Sequence, residues 1–376
     1  MTFLLSALRD LFSLPARLRY RRSLLVQTWT APRGAVALHY GDVLGDGKPL
    51  AGGKVKLLHL QERWPQRSLF NVLYLVSSAP PLFADELVRW ARKRGVRFVW
   101  NQNGVGFPAW AGWRTGEINR PLAALHREAD YVIYQSRFCQ ESAARWLGPI
   151  AAPSRVLYNP VDLTAFTPPP APPDSREGFR LLAAGTHYQP FRVIGALETA
   201  RVLLDSGHRV QLTIAGPMRW PDADAQVHAA IGRLRLAEYV TLRPAFTQRE
   251  AVEIYQAAHV LLHLKYHDPC PTVAIEALAC GVPVIATSSG GMPELVGGDG
   301  GEILHVPADW SRPSYPPPRR IAAAVARVMR HLPERSAAAR ARAGRMFDKN
   351  AWVDAHAEVF AQVLETAEPP PATTHA

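Results

Sequence analysis

Asp268–Glu294, DPCPTVAIEALACGVPVIATSSGGMPE, decides the fold. It reads as loop, helix, glycine turn, buried strand and second glycine-rich turn. Pro271 suits the first helical position, where a missing N–H costs nothing. Gly281 stops the helix after ALAC, and Pro283 cannot continue it. Val282–Thr287 is then a short apolar run fit for a parallel strand buried on both faces. A helix start presents unpaired N–H groups and partial positive charge, so this one can hold a phosphate. Asp268 and Glu276, with seven residues between them, bracket it with two carboxylates.

The same alternation runs upstream. Strands are expected at Arg180–Ala184, Gln211–Ala215, Val240–Arg243 and Val260–His263, with helices at Val193–Ser206, Asp224–Leu236 and Thr247–Ala257. An earlier set of strands reads at Ala35–Tyr40, Val55–Leu60, Asn71–Ser77, Val96–Trp100, Ala129–Gln135 and Val156–Tyr158, with a helix at Ala84–Arg94. Between the sets lies the proline run TPPPAPPD, Thr167–Asp174, an extended and semi-rigid linker. Such alternation predicts an α/β protein of two doubly wound, Rossmann-like domains facing a cleft, the default ligand site. The expected boundaries are residues 1–166 for the first domain, 167–176 for the linker and 177–345 for the second domain. Residues 346–376 make a last helix and a short tail.

Composition narrows the partners. The chain of 376 residues is long enough for two cores, and its 48% hydrophobic content is ordinary. Cys139, Cys270 and Cys280 are scattered without ligand spacing, which argues against a disulfide framework or zinc and for a reducing cytoplasm. The Asp222-x-Asp224 pair reads as a solvated helix start, and no metal is expected. The histidines His39, His59, His187, His263 and His267 lack ligand spacing. The net charge of +11 suits phosphorylated substrates or an anionic membrane. No nucleic-acid module accompanies it, so nucleic acid is not expected. Leu4, Leu5, Leu8, Leu11 and Phe12, followed by Arg17, Arg19, Arg21 and Arg22, can form an amphipathic stretch on an anionic inner membrane face. A first helix packed on its own domain is the other reading.

Several motifs fall in a specific order. They are ADYVIYQSRF (Ala129–Phe138), VLYNPVDLTAFTP (Val156–Pro168), LTIAGP (Leu212–Pro217), ACGVPVIAT (Ala279–Thr287) and GGMPELV (Gly290–Val296). With the acidic pair, they resemble the glycosyltransferase group 1 family (family 4), of GT-B fold. The resemblance runs from about Ala129 to Gly301 and is strongest after residue 250. It implies transfer of a sugar from a nucleotide-sugar to a hydroxyl on a sugar, lipid-linked or small-molecule acceptor, with retention. A role in cell-envelope polysaccharide or glycolipid synthesis goes with it. The first domain would then face the acceptor, the second would bind the nucleotide-sugar, and the last helix would cross back to the first.

The resemblance also assigns residues. Gly185, Thr186, Arg192, Thr272, Val273 and Glu276 would bind the donor, Glu276 on the ribose and Arg192 on the departing phosphates. Lys265, from its proximity, would add a second positive charge. Asp268 would touch sugar hydroxyls and, with Arg192, serve catalysis. Gly52, Gly53, Lys54, Asn101 and Asn103 would line the acceptor side. Departures exist: Asp268 stands for the family's Glu, Thr186 for an Arg, Pro269-Cys270-Pro271 for a Gly-Phe-Gly, and NQNG for a His near Asn101. An epimerase or hydrolase on the same fold would need a base or water-activating acid. A catalytically silent binding protein is the alternative from another class.

Overall fold

The structure, a computed structural model, describes residues 15–24, 29–41, 55–171 and 173–365. Two parallel sheets form within them. The first carries β1 (Leu38–His39), β2 (Val72–Val76), β3 (Arg97–Gln102), β4 (Tyr131–Tyr134) and β5 (Ser154–Val156), paired in that order. Its strands alternate between two cores. Leu73, Leu75, Phe98, Trp100, Val132 and Tyr134 meet helices Ala84–Arg92 and Arg137–Leu147 on one face. Val72, Tyr74, Val76, Val99, Tyr131 and Ile133 point to the other. That period of two, apolar on both sides, is what a sheet covered by helices on both faces requires.

The second face is covered by helices Val55–Arg63 and Lys349–Glu365. The last helix buries Trp352, His356, Val359, Phe360 and Val363, a stripe at helical spacing. Val55–Leu60, expected as a strand, is instead the start of a helix that buries Lys56, Leu57 and Leu60. A short apolar run of this length fits either period, and the core that the last helix creates decides it. Residues 15–24 are helical and pack beside helix Ala84–Arg92: Trp90 Nε1 donates to the Leu24 carbonyl at 2.6 Å.

The second sheet runs β11–β10–β9–β6–β7–β8. Its strands are β6 (Phe179–Ala184), β7 (Val210–Ala215), β8 (Val240–Arg243), β9 (Val260–His263), β10 (Val284–Thr287) and β11 (Gly301–Leu304). The order reverses between β6 and β9, which pair directly through Leu181 with Val260 and Leu182 with Leu261. Ligands bind at such switch points, beyond the carboxyl ends of the strands. Gly185–Arg192 follows β6, and Lys265–Asp268 follows β9.

The two halves touch closely. The Glu294 carboxylate accepts the backbone N–H groups of Arg137 and Phe138, each at 2.8 Å, and the Tyr158 hydroxyl at 3.1 Å. It thus meets the positive N-terminal end of a helix from the opposite half. The Trp310 ring stacks on Phe138 at 5.4 Å, and Ala109 N–H donates to the Trp310 carbonyl at 2.8 Å.

Candidate active site

The loop after β6 lies at the switch point of the second sheet. Gly185 has φ +108°, and a Cβ there would stand 3.3 Å from Val273 Cγ1. Gly216, after β7, comes so near that its Cβ would lie 2.3 Å from the Gly185 carbonyl oxygen. Both positions therefore need glycine. This packing sets the β6 loop against the start of helix Thr272–Ala279. Arg192, three residues into helix Pro190–Asp205, is buried and turns back onto the loop. Its guanidinium donates to the Thr186 carbonyl at 2.7 Å and the Ala184 carbonyl at 2.9 Å. Gly185, Thr186, Arg192 and Val273 are thus brought together.

No carboxylate among the described residues reaches salt-bridge distance of Arg192. Burial lowers its pKa, opposed by the charge of Asp268. An uncompensated buried cation is costly, and an anion brought to it would relieve that cost.

Asp268 is buried at the other side of the switch point. Its Oδ2 lies 3.1 Å from His263 Nε2 and 3.1 Å from Lys265 Nζ. Burial works against its charge, but Lys265 and His263 outweigh that and hold the carboxyl well below the usual carboxylate range. Burial lowers the pKa of His263. A neutral ring facing an ionised acceptor donates through Nε2, which leaves Nδ1 as a buried acceptor with no partner among the described residues. Lys265 is accordingly engaged with Asp268, and any share in a phosphate would be taken alongside that pair.

The backbone around Asp268 is clasped by the second glycine turn. A Cβ on Gly290 would lie 2.4 Å from the Asp268 carbonyl oxygen, and one on Gly291 2.1 Å from that of Pro269. Asp268→Glu would therefore add a methylene where the main chain cannot retreat. It is expected to cost about 1–3 kcal/mol of stability through overpacking and to lower turnover. Thermal melts and initial rates check this; a faster Asp268→Glu enzyme would show that the shorter side chain is a defect rather than a fit.

Glu276 is buried on helix Thr272–Ala279. Its Oε2 accepts the Tyr255 hydroxyl at 2.7 Å, and its Oε1 has only a long contact, 3.4 Å, from Gln248 Nε2. Burial raises its pKa, against the two hydrogen bonds. One carboxylate oxygen is thus fixed and the other is nearly open, an arrangement suited to a sugar hydroxyl.

On the first-domain side, Asn101 and Asn103 are buried, and their side chains are taken up inside the protein. Both Oδ1 atoms accept from Lys56 Nζ, at 2.6 and 2.9 Å, while their amide groups donate to the Tyr74 hydroxyl and to Ser78 Oγ. The residues expected on the acceptor side thus have their side-chain amides engaged within the protein. Lys56 stands in the Val55–Leu60 run, and it is the helix formed there that buries it. Gly52, Gly53 and Lys54 lie outside the described residues, as do Leu4, Leu5, Leu8, Leu11 and Phe12.

Among the described residues no group of three or more His, Cys, Asp or Glu could hold a metal ion, and no helix is long and apolar enough to cross a membrane. A cavity of about 280 Å³ lined by Gly178, Leu181 and Ala258 lies near the start of β6, away from these residues.

Residues 186–313 match the model of the family described as glycosyl transferases group 1. This stretch is a group 1 glycosyltransferase domain. It contains Arg192, Lys265, Asp268 and Glu276. The chain is 41% identical over 90 residues to a D-inositol 3-phosphate glycosyltransferase of Streptomyces bingchenggensis, covering 23% of this chain and 20% of that one. It is 33% identical over 156 residues to the protein so described in Mycolicibacterium gilvum, covering 40% of this chain and 35% of that one. The matches thus span well under half of these relatives' length. Among solved structures, sucrose-phosphate synthase from Thermosynechococcus elongatus superposes with a TM-score of 0.63 at 20% identity, over 83% of this chain and 76% of that one. Anabaena HepE in complex with UDP gives 0.61 at 18% identity, over 82% and 81%. The glycosyltransferase domain therefore sits in a GT-B fold of two parallel α/β halves.

Proposed function

We propose that the protein transfers a glycosyl group from a nucleotide-sugar to a hydroxyl acceptor, with retention, the nucleoside diphosphate leaving. The observation that carries this is buried Arg192, without a carboxylate partner among the described residues, beside the start of helix Thr272–Ala279 at the switch point. Charge grows on the diphosphate as the glycosidic bond breaks, and preorganised positive potential there lowers the barrier. Glu276 Oε1 takes a ribose hydroxyl, and the ionised Asp268 accepts from a hydroxyl of the donor sugar. No step in this arrangement calls on a metal. Anabaena HepE has been solved with UDP and with UDP and glucose, so uridine nucleotide-sugars are the donors to try first.

The test is release of nucleoside diphosphate from a panel of nucleotide-sugars, with a cell-envelope glycolipid extract as acceptor and with chelator present. Acceptor-dependent release that chelator leaves intact supports the reading. Abolition by chelator with rescue by magnesium would overturn the metal-free mechanism. Donor binding with no release on any acceptor would leave a silent binding protein.

The setting we propose is the cytoplasm, at the inner membrane face, in cell-envelope polysaccharide or glycolipid synthesis; the three free, buried cysteines suit a reducing compartment. The basic surface is narrower than four arginines. Arg17 pairs with Asp85 and, at 2.9 Å, with Glu86, while Arg21 lies 3.3 Å from Glu86. Arg19 and Arg22 are exposed. At about 1 kcal/mol per basic residue, these two supply weak, salt-sensitive attraction. Arg19→Glu with Arg22→Glu is expected to reduce sedimentation with anionic vesicles at unchanged melting temperature. Unchanged sedimentation would remove the electrostatic contribution.

A further inference from the structure

We propose that Lys56 is a positioning residue: by tying Asn101, Asn103 and Asn159 together, it fixes the Asp268–Thr272 loop against the first domain. The functional weight of this rests on reading that loop as part of the donor site.

Lys56 is buried, and its ammonium donates to three amide oxygens: Asn101 at 2.6 Å, Asn103 at 2.9 Å and Asn159 at 3.1 Å. An ammonium has three N–H donors and no acceptor, so three converging carbonyl oxygens use it fully. No carboxylate among the described residues shares it. The three asparagines come from the end of β3, the loop after it and the crossing segment between the two halves. From Asn159 the network enters the second half. Its Nδ2 donates to the Cys270 carbonyl at 2.7 Å, and its backbone N–H approaches Cys270 Sγ at 3.3 Å. Cys270 stands two residues after Asp268 and two before Thr272. From Asn101 the network runs outward. Asn101 Nδ2 donates to the Tyr74 hydroxyl at 2.9 Å, which lies 3.0 Å from His356 Nε2 on the last helix. One buried chain of polar contacts thus links the last helix, the first sheet and the donor loop, with Lys56 at its junction.

Removing one proton from Lys56 leaves a neutral amine with two donors for three oxygens, so one arm of the junction must open. Burial lowers its pKa to about 8. The groups facing it do not interfere near that value. Burial pushes Cys139 and Cys270 up to about 12 and Tyr74 higher still, and holds His356 down at about 3.

The experiment measures turnover and amide-exchange protection across residues 268–276 from about pH 6.5 to 9.5, corrected for intrinsic exchange, in wild type and Lys56→Met. Wild-type protection and turnover are expected to fall about five- to tenfold as pH passes through 8. Lys56→Met, which keeps length without donors, is expected to start low and show no step. A flat wild-type profile, or a Lys56→Met protein with wild-type protection, overturns the proposal. Should Lys56→Met fail to fold, the wild-type pH series decides alone. If no nucleotide-sugar is turned over, the glycosyltransferase reading fails while the protection profile still judges the coupling.

Discussion

Arg192→Ala is expected to lower turnover about 100- to 1000-fold while raising the donor's Kd far less. Arg192 is fixed before any ligand arrives, its guanidinium held on the Ala184 and Thr186 carbonyls. A preorganised cation needs no rearrangement when charge develops on the leaving diphosphate, so its benefit is greatest in the transition state. Removing it also leaves two carbonyls without their donor, at about 1–3 kcal/mol of stability. Melting curves must therefore accompany the kinetics. Arg192→Lys keeps the charge but not the planar fork, and should fall between the two. Equal losses in binding and turnover would mean that Arg192 holds the donor uniformly and does not act on the leaving group.

Glu276→Gln is expected to weaken nucleotide binding by about 1.5–3 kcal/mol, roughly 10- to 150-fold in Kd. The fold should be spared, because a glutamine carbonyl can still accept from Tyr255, now at 2.7 Å from Oε2. The pH dependence of stability separates function from structure. Burial raises the pKa of Glu276 above its ordinary 4.5, so the folded protein holds a proton there that the unfolded chain releases. That contribution favours folding below the ordinary value and is lost as pH rises through the raised one. At neutral pH the ionised carboxylate is a cost of folding, and Glu276→Gln should melt no lower than wild type while binding nucleotide worse. Calorimetry and thermal melts read both. A variant that loses stability and keeps its nucleotide affinity would make Glu276 structural.

Much of the second half was legible in the sequence. Buried parallel strands are short apolar runs, and glycine and proline punctuate them; β9 was placed at Val260–His263 and formed there. The glycine-rich turn at Gly290 was legible as a turn, whereas its close approach to the Asp268 backbone comes from the packing. The first half was harder. Val55–Leu60 carries apolar residues that fit two periods, and only the packing of helix Lys349–Glu365, some three hundred residues later, settles it as a helix. The site divides the same way. Asp268, Glu276 and Arg192 stand in motifs, whereas their supports do not. His263 reaches Asp268 from the end of a strand. Glu294 meets Arg137 and Phe138 across 157 and 156 residues, and Lys56 meets Asn159 across 103. Contacts between distant segments leave no local pattern to read.

The most direct measurement is amide exchange of the wild-type protein with a panel of nucleoside diphosphates, each at about a hundred times its Kd. A ligand at that level stabilises the folded state by about 2.7 kcal/mol. Protection is expected at Gly185–Thr186, around Arg192 and at Thr272–Glu276, on both sides of the β6–β9 switch point. Protection confined to other parts of the molecule, or no stabilisation by any nucleotide, would contradict the assignment of this switch point as a nucleotide-sugar site.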